Sequence, residues 1–215
     1  MILQDYYNCR ATEYEDIYHR RDPIRQKELT EIANAMKAVL TNRNVLEIAC
    51  GTGFWTAVAA KVAESVVAID ISNEMLAIAK AKSLPNERVQ FCVADAYNLD
   101  LVKGVFDVGL ANFWLSHVPK SCLNDFLHGF HKRLISGAVI FMADNVLVPG
   151  LGGELIDKRG CEDTFKLREL SDGSEYEVIK NYYNANQLRE ILEPLSSELE
   201  ISVGDCFWWL SYLVP

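Results

Sequence analysis

Chemistry is concentrated in the run Asn44-Val45-Leu46-Glu47-Ile48-Ala49-Cys50-Gly51-Thr52-Gly53-Phe54-Trp55-Thr56 and in Val66-Val67-Ala68-Ile69-Asp70 beyond it. A short apolar strand passes through a glycine turn into a helix, and a second strand ends in a carboxylate. Backbone N–H groups at a helix start, with an acid that accepts from ribose hydroxyls, hold adenosine-type cofactors.

Two cofactor classes compete for such a turn. A dinucleotide fingerprint needs a third glycine, so that helix and strand pack closely where a pyrophosphate meets the helix N-terminus. Thr56 stands at that position. Glu47, on the strand itself, repels a pyrophosphate and attracts the ammonium of an amino-acid moiety. The combination favours S-adenosylmethionine over NAD.

With the run Val89-Gln90-Phe91-Cys92-Val93-Ala94-Asp95-Ala96 added, the chain resembles the class I S-adenosylmethionine-dependent methyltransferases over residues 45–144. Their acidic-x-Gly-x-Gly-x-Gly motif aligns with Glu47, Ala49, Gly51 and Gly53, alanine replacing the first glycine. The resemblance implies that Asp70 grips the ribose hydroxyls and that Asp95 reads the adenine amino group. Cys50, Thr52, Ile71, Met75, Ala96 and Asn112 complete the cofactor contacts expected from it. The segment Tyr6 to Tyr18 resembles the Tyr-x-x-x-Ala-x-x-Tyr-Asp stretch that covers the cofactor in many relatives, which would set Tyr7 and Tyr14 against it. The same tyrosines also read as packing residues of an amphipathic helix. The implied cofactor is S-adenosylmethionine and the implied product S-adenosylhomocysteine.

Displacement at a sulfonium methyl is an in-line reaction on an activated carbon, so the protein must align the nucleophile and exclude water. The resemblance places the acceptor-facing loop after strand four, at Ala111-Asn112-Phe113-Trp114-Leu115-Ser116-His117-Val118-Pro119. His117 is the candidate general base, since imidazole titrates near neutrality; a histidine bonded to backbone at a helix start is the alternative. His19, His128 and His131 have weaker claims, the last two lying in a helix. Phe113 and Trp114 read equally as pocket lining or core. Arg159, Arg168 and Lys180 are candidates for meeting an anionic acceptor, against the usual solvated role of such charges. The Asp/Asn-Pro-Pro-aromatic motif of nucleobase methylases is missing here. Near the loop the acids are Asp125 and Asp144, so no metal site is expected.

The positioning elements alternate as in a parallel sheet with helices on both faces. Helices are expected over Glu28–Leu40, Phe54–Ala63, Asn73–Lys82 (capped by Ser72) and Ser121–Leu134. Strands are expected over Val45–Ala49, Val66–Ile71, from Val89, over Phe106–Ala111, and over Ala138–Ala143 after a Ser136-Gly137 turn. Pro149 to Gly153 reads as a flexible turn inside an insertion, residues 145–180, that suggests a lid. Within it Phe165–Leu170 and Tyr176–Lys180 form a hairpin. Asn184 or Asn186 caps a last helix, and Leu199–Val203 and Phe207–Leu213 close the chain as a strand pair. The expected fold is α/β, a Rossmann-like doubly wound seven-stranded sheet, mostly parallel with an antiparallel last strand. A single domain is expected: cap helices in residues 1–40, a cofactor-binding core in 45–144, the insertion, then 184–215.

The chain of 215 residues, 50% hydrophobic, can bury one good core. Its net charge of -9 argues against nucleic acid as a partner. No segment has the apolar length of a membrane span, and the six dispersed cysteines read as small buried hydrophobes of a reducing, cytoplasmic compartment. The expected partner is a small, partly apolar acceptor such as a phenol, a quinone precursor or a natural-product scaffold. The competing functions are a nicotinamide-dependent oxidoreductase, weakened by Thr56 and Glu47, and a non-catalytic cofactor-binding protein, weakened by the intact acids.

Overall fold

The computed structural model describes residues 2–85, 87–150 and 153–215. Leu151 and Gly152, within the expected flexible turn, lie outside the described residues. Strands β1 (Asn44–Glu47), β2 (Ser65–Asp70), β3 (Val89–Val93), β4 (Phe106–Asn112) and β5 (Leu134–Asn145) lie parallel. A further pair, β9 (Ser197–Val203) and β10 (Phe207–Leu213), extends the sheet in the order β3-β2-β1-β4-β5-β10-β9. β10 runs antiparallel to both of its neighbours, so one strand of the seven is reversed, as expected from the sequence.

Strand periodicity divides the core between the two faces. Val45, Val66, Ala68, Val108 and Phe141 pack with α2 (Pro23–Leu40) and α3 (Phe54–Ala59). Leu46, Ile69, Ile140 and Trp208 pack with α5 (Leu123–His131) and α6 (Ala185–Leu192). Ser72 caps α4 (Asn73–Ala81) by accepting from the Met75 N–H, and Asn184 with Gln187 forms a capping box on α6.

Several boundaries differ from expectation, for local reasons. α2 begins at Pro23 instead of Glu28, because Asp22 accepts from the N–H groups of Ile24 and Arg25 and Pro23 suits the first turn. β1 stops at Glu47 because Ala49 is left-handed, with φ 51. α3 ends at Ala59, short of Ala63. Ser136-Gly137 is not a turn before β5: the strand runs through it, Gly137 takes φ 75, and the pairing with β4 shifts register there. The helix expected over Ser121–Leu134 is confined to α5. Of the cysteines, only Cys50 and Cys206 are buried; Cys92 and Cys122 are half-buried and Cys9 and Cys161 exposed.

The insertion is a second, three-stranded antiparallel sheet of β6 (Leu155–Asp157), β7 (Thr164–Glu169) and β8 (Glu175–Ile179), and β6 was not legible in the sequence. Its last residues are stitched to the loop after β4. Asn181 N–H donates to Ser116 O at 2.8 Å, and Asn181 Nδ2 donates to Val118 O at 3.1 Å. α1 (Ile2–Arg10) and the 3-10 turn Ala11–Tyr18 lie against β8 and α4, closing the same end of the molecule.

Glu28 of α2 clamps the β9–β10 turn, accepting from the N–H groups of Asp205, Cys206 and Phe207 at 2.7–3.0 Å. Removing a buried carboxylate that satisfies several backbone donors leaves them unpaired. Glu28→Ala is expected to lower unfolding stability by about 3 kcal/mol in urea titration; a change within error would show that water replaces the clamp.

Candidate active site

The carboxyl ends of β1, β2 and β4 and the residues after β3 enclose a cavity of about 350 Å³. It lies where strand order diverges from β1 toward β2 and β4, the crevice of doubly wound sheets. Asp70 ends β2 and lines this cavity. Its Oδ2 accepts from Gly51 N–H at 2.8 Å and its Oδ1 from Ser72 N–H at 2.9 Å, which fixes the carboxylate plane. Burial raises its pKa, and these backbone donors oppose that shift. Each oxygen keeps a further lone pair for a hydroxyl. Asp95 lines the cavity after β3, held by Tyr97 N–H at 2.9 Å, with Ala96 beside it. Ala49, Gly51, Ile71 and Met75 complete this side. Tyr14 roofs the glycine turn: its Cε1 stands 3.7 Å from where a Cβ on Gly51 would be.

Five of the expected contacts stand behind the wall and do not line it: Glu47, Cys50, Thr52, Gly53 and Asn112. Thr52 donates to Glu15 at 2.6 Å, which in turn pairs with Lys82 at 2.5 Å. Gly53 brings α3 onto α4, since a Cβ there would lie 3.0 Å from Ala79 Cβ. Asn112 is buried with its Oδ1 unpartnered among the described residues. Glu47 is 2% exposed and accepts from Thr56 Oγ1 at 2.6 Å. The residue at the third-glycine position is therefore the partner of the strand carboxylate.

Burial pushes the Glu47 carboxyl up to about 8, although Thr56 pulls the other way. Between the ordinary value of 4.5 and about 8 the folded chain binds a proton that the unfolded chain has lost, so this group's contribution to stability falls as pH rises through that window. Glu47→Gln is expected to flatten the decline in melting temperature between pH 5 and 8; equal slopes in the two proteins would refute the burial argument.

Tyr7 and His117 form the opposite wall. Tyr7 Oη lies 2.8 Å from His117 Nε2, and His117 Nδ1 lies 2.7 Å from Ile179 O. A carbonyl only accepts, so Nδ1 carries the hydrogen, Nε2 accepts, and Tyr7 O–H donates. Burial, then the charge of Lys180, holds His117 down at about 3, so the ring is neutral at pH 7. Phe113, at φ 58 where the chain leaves β4, and Trp114 line the cavity beside the pair. His128 and His131 lie on α5, bonded to Asn124 O and to Tyr212 Oη, and His19 is exposed.

Of the three insertion cations expected to meet an anionic acceptor, Arg159 is exposed, whereas Arg168 and Lys180 line a smaller adjoining cavity. Lys180 departs from the solvated expectation: it is 5% exposed and donates to Asp144 Oδ1 at 3.0 Å and to Ser116 Oγ at 2.6 Å. The sequence reading missed Ser116 and Asn181 as positioning residues and weighed Asp144 only as a metal ligand. Asp144 instead accepts from Ser116 N–H at 3.0 Å and fixes the turn that carries His117. Among the described residues no group of three or more His, Cys, Asp or Glu side chains is arranged to hold a metal, and no helix is long and apolar enough to cross a membrane.

Residues 45–137 match the family described as "Methyltransferase domain". The demethylmenaquinone methyltransferase of Lactococcus lactis subsp. lactis is 29% identical over 127 residues, 54% of this chain and 48% of that one. That of Staphylococcus epidermidis is 33% identical over 116 residues, 48% of this chain and 46% of that one. This chain thus spans about half the length of the curated relatives it matches, or less. Among solved structures, DhpI in complex with SAH has a TM-score of 0.77 at 24% identity, covering 98% of this chain and 94% of that one. The PH0226 protein of Pyrococcus horikoshii OT3 has a TM-score of 0.73 at 20% identity, covering 94% and 99%. These likenesses establish the fold.

Proposed function

We propose that this chain, whose residues 45–137 match the methyltransferase-domain family, is a class I enzyme that transfers the methyl group of S-adenosylmethionine to a small-molecule acceptor at O, N or C, releasing S-adenosylhomocysteine. The observation that carries the reading is one cavity with Asp70 and Asp95 on one wall and the Tyr7–His117 pair on the other. Its volume falls within the range of cofactor pockets. S-adenosylmethionine, when bound, supplies a methyl group already activated by the sulfonium.

Asp70 accepts from the ribose hydroxyls and Asp95 from the adenine amino group, the geometry that two acids at strand ends offer a nucleoside. Glu47 and Asn112, the latter with its Oδ1 unpartnered among the described residues, end the neighbouring strands β1 and β4. Tyr7 and Tyr14 exclude water from above. An acceptor hydroxyl donates to Tyr7 Oη, and the Tyr7 proton passes to His117 Nε2. A weak base suffices there, because the hydroxyl proton becomes acidic as the new bond forms. DhpI has been solved with SAM and HEP as well as with SAH, and the curated relatives are named for methylating demethylmenaquinone, which supports a small-molecule acceptor. The net charge of -9 and the absence of a spanning helix among the described residues favour a cytoplasmic protein without nucleic-acid or membrane partners.

Calorimetric titration with S-adenosylmethionine, S-adenosylhomocysteine and NAD tests the reading. Binding of the first two supports it, and binding of NAD alone overturns it in favour of an oxidoreductase. With an acceptor in hand, His117→Gln is expected to lower kcat about 10²-fold and leave cofactor affinity nearly unchanged. Tyr7→Phe should resemble it. Full turnover in His117→Gln would remove the proton-transfer role.

A further inference from the structure

We infer that the smaller cavity behind Tyr7 and His117 binds a dianionic, phosphoryl-type group of the methyl acceptor, an inference that rests on the methyl-transfer reading above. The cavity, about 90 Å³, has room for a head group of a few heavy atoms, and it shares Tyr7, Tyr14, Phe113 and His117 with the larger one. A group seated in it is therefore separated from the cofactor cavity by these four residues, among them the pair that would contact the reacting atom.

Its charge is opposite to that of the chain as a whole. Arg10, Arg20, Arg25, Arg168 and Lys180 line it, and among the described residues no Asp or Glu does, in a protein of net charge -9. These cations come from α1, the loop before α2, α2 itself, β7 and the end of β8, so the fold has converged them from distant stretches.

The cations differ in how they are matched. Lys180 is offset by Asp144 at 3.0 Å. Arg10 donates to the neutral hydroxyl of Tyr6 at 2.8 Å and lies over the rings of Tyr6 and Tyr14. Arg25 is 7% exposed, sits 4.4 Å above the ring of Phe207, and has a buried Nε with no hydrogen-bond partner among the described residues. The two acids nearest to it in sequence are both engaged by backbone, Asp22 Oδ1 by the N–H groups of Ile24 and Arg25 and Glu28 by those of Asp205, Cys206 and Phe207. Neither Arg10 nor Arg25 forms an ion pair among the described residues. A buried guanidinium with an unused donor is costly unless a ligand completes it. With Arg10, half-buried and bonded only to a neutral hydroxyl, Arg25 can match two negative charges, and the forked donors of the two guanidinium groups fit the oxygens of a phosphoryl group. The fields overlap at the wall: burial raises Tyr6 and Tyr7, and Arg10 and Arg168 pull both back.

The test is calorimetric titration of the S-adenosylhomocysteine-loaded protein with inorganic phosphate and with acetate, at constant ionic strength set by chloride. Phosphate should bind at least about tenfold more tightly than acetate. Arg25→Gln and Arg10→Gln should each weaken phosphate about tenfold or more while S-adenosylhomocysteine affinity holds. If Arg25→Gln does not fold, Arg10→Gln carries the comparison. Acetate binding as tightly as phosphate overturns the phosphoryl assignment. Phosphate affinity unaltered in the folded variants places the anion elsewhere and overturns the site. Failure to load S-adenosylhomocysteine at all is the separate failure of the methyl-transfer reading.

Discussion

Asp70→Ala should lose S-adenosylmethionine and S-adenosylhomocysteine binding by about 10²-fold or more, because a charged acceptor facing two ribose hydroxyls contributes roughly 1.5–3 kcal/mol per bond. The variant also frees the N–H groups of Gly51 and Ser72, so the glycine turn and the start of α4 lose the carboxylate that ties them together. Asp70→Asn separates the two effects. Its amide oxygen still accepts one backbone bond, so its melting temperature should lie nearer the parent while its cofactor affinity stays low. Calorimetry beside thermal melts reads both quantities, and undiminished affinity in Asp70→Ala would remove Asp70 from the cofactor site.

Lys180→Met should cost about 3–5 kcal/mol of unfolding stability, the penalty for stranding a buried charge. Asp144 is fully buried, and burial alone would raise its pKa; Lys180, then His117, outweigh that and hold it below the usual carboxylate range. Without the cation, Asp144 keeps the N–H groups of Ser116 and Asn145 and loses its charge partner. Adding Asp144→Asn in the Lys180→Met background should recover most of the loss, since the amide still accepts from Ser116 with no charge to compensate. If the double variant melts no higher than the single one, lost packing and not the stranded charge is the cause. The same pair holds Ser116, so acceptor turnover should fall further than stability explains.

The legible parts of this molecule were those governed by local rules. Glu47, the glycine turn, Asp70 and Asp95 lie at or just after strand ends, where sequence order dictates position, and the parallel part of the sheet follows from the alternation of strand and helix, while the reversed strand near the end is what the family resemblance implied. Ser72 was readable as a cap, and Asn184 as one of two candidates with Asn186, because capping needs only neighbours. What escaped depends on contacts between distant segments. Thr56 looked like a missing glycine until its hydroxyl was found on Glu47. Lys180 looked like a solvated charge because nothing near it in the chain announces Asp144. Arg10 and Arg25 sit on helices where basic residues are ordinarily surface, and only the folded chain turns both toward one cavity. β6 is three residues long and exists only as a partner of β7, too short for a pattern of its own.

The position of β10 governs how the sheet is made on the ribosome. Translation delivers β1 to β5 first, yet β5 lacks its outer neighbour until residues 207–213 emerge, and β9 pairs with the sheet only through β10. Through most of synthesis, the apolar run Ala138–Ala143 presents an unpaired edge, the feature that invites pairing with other chains. The strand that closes this edge, Phe207-Trp208-Trp209-Leu210-Ser211-Tyr212-Leu213, carries both tryptophans of the C-terminal region and is almost entirely aromatic or aliphatic. Final closure is thus a late, strongly hydrophobic event, and a nascent chain stalled before Phe207 is the species most prone to aggregate.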